Sequence, residues 1–185
     1  MAKAYGSSRV VLPSKLGHTA AASEFNSSMS SGGYDAKRSY LPPNGSGYLL
    51  YQNGHKYHIE EVEVGKALAD KGYKVVLRPE GIEAYATAYT KDGTPKYAEG
   101  TISSILYDQK TVGLDMKNAV NNVNNAIKHA REKGANIALI YDRNGLMHRN
   151  YISAGMAEYK RHNSVSDIKA VLVMDKNKNL YEHHF

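Results

Sequence analysis

Between residues 59 and 71, apolar or small side chains recur every three or four positions, and Val64, Leu68 and Ala69 share a stripe that stops at Gly72. This predicts a helix. The run Tyr73-Lys74-Val75-Val76-Leu77 then predicts a strand, ended by Pro79 and Gly81. Residues 84–89 predict a short strand closed by the Asp92-Gly93 turn, and the runs 96–102 and 105–111, split by Ser103-Ser104, predict a hairpin. The helical period is clearest over residues 116–133, where Ala119, Val120, Val123, Ala126, Ile127 and Ala130 keep the spacing before Gly134. A buried strand over 136–141 follows, ended by the turn composition of Asp142-Arg143-Asn144-Gly145. A helix over 147–161 and a hairpin of 168–174 with 180–184 complete the pattern. The order predicts an α/β fold with a central mixed sheet flanked by helices.

Residues 1–47 lack any sustained period and hold ten serines and six glycines, so they read as a linker or partly ordered arm preceding a domain at 48–185. Arg9-Val10-Val11-Leu12 has the composition of an edge strand. No repeat is visible. With 185 residues the chain suffices for one ordinary domain and an extension.

Mean hydropathy is −0.54, and apolar stretches run to about five residues against the roughly 20 of a membrane-spanning helix. No membrane span and no cleaved signal peptide are expected. The absence of cysteine excludes disulfides, thiolate zinc sites and a cysteine nucleophile. A net charge of +6 suits a phosphate-rich partner. No phosphate-binding Gly-x-x-x-x-Gly-Lys-Ser/Thr loop, Gly-x-Gly-x-x-Gly run or Gly-x-Ser-x-Gly elbow occurs.

The hairpin carries the sharpest chemistry. If Ser103-Ser104 is a two-residue loop, Ile102 pairs with Ile105, Gly100 faces Tyr107, and Glu99 lies opposite Asp108. Two ionised carboxylates about 5 Å apart repel by roughly 3 kcal/mol at an effective dielectric of about 20, so the arrangement calls for a cation or a proton. A divalent ion such as Mg²⁺ would satisfy it, and Lys110 shares the face of Asp108. The alternative is an exposed strand face of alternating charge, since Ser-Ser is not a favoured turn pair and a three-residue loop would break this register. Glu61 continues the apolar stripe of the first helix, where a carboxylate needs a partner. It suits the exposed, dipole-favoured N-terminal end equally well. Glu60 and Glu63 fit a solvated face.

The run Glu61-x-x-Val64-Gly65-x-x-Leu68-Ala69-x-x-Gly72-Tyr73-x-Val75, with Glu99-Gly100 and Tyr107-Asp108-x-Lys110-Thr111, resembles the PD-(D/E)XK nuclease superfamily. Within it, the sequence is most similar to the C-terminal toxin domains of contact-dependent growth inhibition (CdiA-type) proteins, several of which cleave tRNA. The resemblance spans roughly residues 54–185. It implies a restriction-endonuclease-like core, with Glu61, Glu99 and Asp108 holding Mg²⁺ (or Mn²⁺ or Zn²⁺) and Lys110 as catalytic lysine. Ala98-Glu99 stands where the family has Pro-Asp, and Asp108 where it has Glu, which changes carboxylate reach by one methylene. The resemblance also implies an RNA substrate, tRNA among the candidates, and a cognate immunity protein. It further implies delivery from a producing bacterium into a target-cell cytoplasm.

His55 and His58, beside the first helix, read as surface or capping residues, and His183-His184 as an adventitious chelator. Fifteen tyrosines fit the core margin or base stacking, and Lys128, Arg131, Lys133, Arg149, Lys160, Arg161 and His162 fit a phosphate track or exposed helix faces. Two other readings stay open. One is a metal-independent ribonuclease toxin using His148 or His162, and the other a non-catalytic nucleic-acid- or partner-binding module of a phage or mobile element.

Overall fold

The structure is a computed structural model and describes residues 18–43, 46–112 and 118–185. Among the described residues, four helices, α1 (His18–Ser30), α2 (Ile59–Asp70), α3 (Ala119–Glu132) and α4 (Arg149–His162), accompany nine strands. The strands are β1 (Tyr48–Tyr51), β2 (Lys74–Leu77), β3 (Ala88–Tyr89), β4 (Pro95–Lys96), β5 (Gly100–Ile102), β6 (Ile105–Thr111), β7 (Ile137–Tyr141), β8 (Ala170–Met174) and β9 (Leu180–His183). Seven form one sheet in the order β1-β2-β5-β6-β7-β8-β9, and β3 pairs with β4 in a separate hairpin. The sheet is mixed. The β1/β2, β6/β7 and β7/β8 pairs are parallel and the other three antiparallel.

Both faces of the sheet are covered. On one, Val64 and Leu68 of α2 pack against Leu49, Val75, Tyr107, Leu139 and Leu172. On the other, Val123 and Ile127 of α3 and Ile152 and Met156 of α4 pack against Ala138, Ile140 and Val171. Coverage on both sides explains why β7 and β8 are unbroken apolar runs. At Gly155, an added Cβ would lie 2.4 Å from the Val123 Cβ, so its lack of a side chain sets the approach of α3 and α4.

Several sequence expectations change. Residues 18–43, read as part of a linker or arm, carry α1, whose Ala21, Phe25 and Met29 cover Tyr48 and Leu50 of β1. Bridges Tyr34↔Gln52 and Tyr40↔Leu49 hold the following chain to the same strand. That narrow four-residue stripe is diluted by serine, which is why composition hides it. The proposed edge strand at Arg9–Leu12 lies outside the described residues. Residues 84–89 form a 3₁₀ turn (Glu83–Tyr85) followed by the two-residue β3, because only Ala88 and Tyr89 find a partner strand. The helix expected over 116–133 is α3, with residues 116 and 117 outside the described chain.

The hairpin register is the one the two-residue loop requires: Gly100↔Tyr107, Thr101↔Leu106 and Ile102↔Ile105. Ser103 and Ser104 adopt φ of 48° and 71°, the left-handed pair of a type I′ turn. Glu99 thereby lies across from Asp108, where β5 has ended and β6 continues.

Candidate functional site

Four segments bring side chains to this end of the sheet. Glu61 sits in the first turn of α2 and reaches toward the sheet from its buried stripe. Glu99 immediately precedes β5, and its carbonyl accepts a hydrogen bond from the Arg78 amide at 3.0 Å. Asp108 projects from β6 on the α3 face. Lys133 occupies the C-terminal cap of α3, where Gly134, at φ +74°, turns the chain back toward β7. The Thr87 hydroxyl donates to the Lys133 carbonyl at 2.5 Å and fixes that corner.

Lys133 Nζ lies 2.7 Å from Asp108 Oδ1 and 3.3 Å from Glu99 Oε1. The cation that the facing carboxylates call for is therefore present within the chain. Lys110 shares the strand face of Asp108, is half-buried, and makes no ion pair among the described residues. The ammonium that meets the carboxylates belongs instead to Lys133, one of the residues read as a phosphate track or helix surface. The rest of that run is partly neutralised, Arg131 by Asp167 at 3.8 Å and Arg161 by Glu158 at 2.5 Å.

Glu61 pairs with His55. The Nε2 of His55 is 2.7 Å from Glu61 Oε2, and its Nδ1 donates to the Arg78 carbonyl at 2.6 Å. The ring rests edge-on against Tyr51, with centroids 5.0 Å apart. The His55 side chain is fully buried, which corrects the expectation of a surface or capping residue. His58 does hold the cap position of α2, without a side-chain capping bond. Glu63, expected on a solvated face, accepts hydrogen bonds from Tyr141 Oη and Arg143, both at 2.8 Å.

Burial dominates the electrostatics. The Glu99 carboxyl is pushed up to about 9, first by burial and then by Glu61, with Lys133 opposing. Burial also raises Asp108, and the Lys133 ammonium recovers only part of that shift. Burial alone would lower Lys133, but Asp108 and Glu99 outweigh it and hold the ammonium protonated. His55 is likewise raised, because Glu61 and the Arg78 carbonyl outweigh burial. Near neutral pH the cluster thus holds a protonated Glu99 and the Lys133 ammonium beside Asp108.

His55, Glu61 and Glu99 each offer a ligand atom, all within 4.8 Å of one another. Glu99 Oε2 is buried and receives no hydrogen bond from the described residues. The Tyr107 hydroxyl, also buried, finds no partner among them either. The sequence contained no signal for His55 or Lys133: they lie 6 residues from Glu61 and 25 from Asp108, and only folding makes them neighbours.

No protein-family model matches the chain, and no curated protein sequence matches it. Among solved structures, the chain is similar to one in a CdiA-CT/CdiI toxin and immunity complex from Burkholderia pseudomallei. The TM-score is 0.47 at 20% identity, covering 79% of this chain and 94% of that chain. No helix among the described residues is long and apolar enough to cross a membrane.

Proposed function

We propose that the protein is a metal-dependent nuclease that hydrolyses RNA phosphodiester bonds, tRNA among its candidate substrates, and acts as a bacterial toxin domain. The observation that carries this reading is a run of buried acidic side chains beside the start of β5: Lys133 joins Asp108 to Glu99, and a Glu99 oxygen lies within 4.8 Å of a Glu61 oxygen. The element order α2-β2-β5-β6-α3-β7 and the Glu99–Asp108 register support the resemblance to PD-(D/E)XK nucleases. Hard carboxylate donors, one of them a buried oxygen with no hydrogen bond from the described residues, suit the divalent cation that the sequence resemblance assigns to Glu61, Glu99 and Asp108. Such an ion supplies Lewis-acid stabilisation of charge on a phosphoryl oxygen.

The chain's own groups act around it. Lys133 presents a fixed positive charge to phosphate oxygens from a partly dry site, where such charges act strongly. Glu61 is kept in place by the ring of His55. The net charge of +6 favours capture of a polyanion. Delivery into a target cell and a cognate, acidic immunity partner belong to the same reading and rest on the sequence resemblance. Electrostatic matching would speed that partner's association.

A second reading is favoured by Lys133 itself. Its ammonium already neutralises the facing carboxylates, and Glu99 holds a proton near neutral pH, so acid catalysis without metal is chemically available. The histidines first considered for such an enzyme stand elsewhere: His148 lies edge-on to Tyr151 and His162 pairs with Glu158.

Incubation with total RNA and plasmid DNA in Mg²⁺, Mn²⁺ or EDTA separates the readings. RNA cleavage that EDTA stops is expected. EDTA-resistant cleavage supports the second reading, and no turnover in any metal leaves a binding module. Asp108→Asn and Lys133→Gln should each lower cleavage by about 10²–10³-fold while the circular dichroism spectrum stays native. Lys110→Ala, measured beside them, reports which lysine serves the site. Full activity in both Asp108→Asn and Lys133→Gln would refute the assignment.

A further inference from the structure

We propose that His55 Nε2 is a direct ligand to the divalent cation, together with Glu61 and Glu99, and that this nitrogen makes the site select Zn²⁺ or Mn²⁺ over Mg²⁺. The proposal rests on the carboxylate cluster being a cation site, and is independent of what the site cleaves. The orientation of the ring is its first support. A carbonyl oxygen can only accept, so the 2.6 Å contact with Arg78 places the hydrogen on Nδ1. The 2.7 Å contact with the Glu61 carboxylate is then a hydrogen bond that Nε2 donates, and a divalent cation that displaced this proton would take its place between Nε2 and Glu61. A back-side hydrogen bond to a carbonyl is how proteins fix the tautomer and ring plane of a metal-binding histidine.

The carboxylates supply the rest. One donor atom from each of His55, Glu61 and Glu99 lies within 4.8 Å of the other two, a separation that small side-chain shifts close to coordination distance. Glu99 divides its two oxygens: Oε1 faces Lys133 at 3.3 Å, while the buried Oε2 receives no hydrogen bond from the described residues. Near neutral pH this carboxyl, 6% exposed, holds a proton beside Glu61, and a divalent cation that displaced the proton would take that place. Asp108 is held by Lys133 at 2.7 Å, so in this proposal His55 replaces Asp108 in the ligand set that the sequence resemblance implies. Mg²⁺ prefers an all-oxygen shell with several waters, whereas an imidazole with two carboxylates suits borderline transition ions.

The test is titration of the full chain with Mn²⁺, followed by the free-ion paramagnetic signal, and then electron spin-echo envelope modulation of the bound ion. A single Mn²⁺ should bind at least about tenfold tighter than Mg²⁺ in competition, and Zn²⁺ tighter still. The bound Mn²⁺ should show ligand-nitrogen modulation. His55→Gln should abolish the modulation and weaken Mn²⁺ binding by about 10–100-fold, whereas His183→Gln/His184→Gln should keep both. Binding without nitrogen modulation, modulation that survives His55→Gln or vanishes in the double variant, or equal affinity for Mg²⁺ would overturn the proposal. If His55→Gln does not fold, the wild-type selectivity and the double variant decide. Mg²⁺-supported RNA cleavage without nitrogen coupling would sink the histidine ligand alone. Absence of any cation binding would remove the metal-dependent reading as well.

Discussion

Replacing Lys133 with methionine keeps the aliphatic stem and removes the ammonium that Asp108 and Glu99 share. At 2.7 Å and an effective dielectric of about 20, the Lys133–Asp108 attraction is about 6 kcal/mol before desolvation, which cancels much of it. Breaking one side of a buried pair costs about 3–5 kcal/mol, because the remaining charge stays buried and uncompensated. The orphaned Asp108 has an escape, which is to take up a proton. From its ordinary value of 3.8, that costs about 4 kcal/mol at pH 7 and about 1.6 kcal/mol at pH 5. Those values cap the loss.

The sign follows from the raised carboxyl. Removing the ammonium lifts Asp108 and Glu99 further, so stability is retained below the unfolded carboxylate range and lost as pH rises through it. Urea unfolding followed by circular dichroism should therefore give a destabilisation of about 3–4 kcal/mol at pH 7 and about 1–2 kcal/mol at pH 5. The corresponding fall in melting temperature at pH 7 is roughly 6–16 °C for a chain of this size. An equal destabilisation at both pH values would refute the charge argument, leaving lost packing as the cause.

Two further substitutions test the surroundings of the site. Tyr107→Phe removes a fully buried hydroxyl with no partner among the described residues, so the variant should be unchanged or up to about 2 kcal/mol more stable in thermal unfolding. A loss above about 1 kcal/mol would mean that the hydroxyl is satisfied in solution. Gly155→Ala gains about 1 kcal/mol of helix propensity but places a Cβ 2.4 Å from that of Val123 and 2.7 Å from the Val120 carbonyl. Overpacking should win, with a net loss of about 1–2 kcal/mol by denaturant titration, and a stabilised variant would contradict the close approach of α3 and α4.

Much of the architecture is legible in local sequence, for reasons visible residue by residue. The stripe through Val64 and Leu68, the period of α3 and the apolar runs of β7 and β8 are short-range patterns, and Gly72 and Gly134 mark their ends. The opposition of Glu99 and Asp108 follows from one assumption about Ser103-Ser104, because a hairpin's register is set by its loop. α1 escapes such reading because its helix buries only a narrow edge of the sheet, so few apolar residues suffice.

What the sequence determined by itself, then, was the order of elements and the placing of two carboxylates face to face, since both depend on residues a few positions apart. What satisfies those carboxylates was decided only by the tertiary structure. Lys133 reaches Asp108 because α3 crosses the sheet and ends above β6, and His55 reaches Glu61 because Tyr51 and the Arg78 carbonyl orient its ring. Charge compensation depends on distances of a few ångströms between segments far apart in the chain, and local periodicity carries no record of those distances.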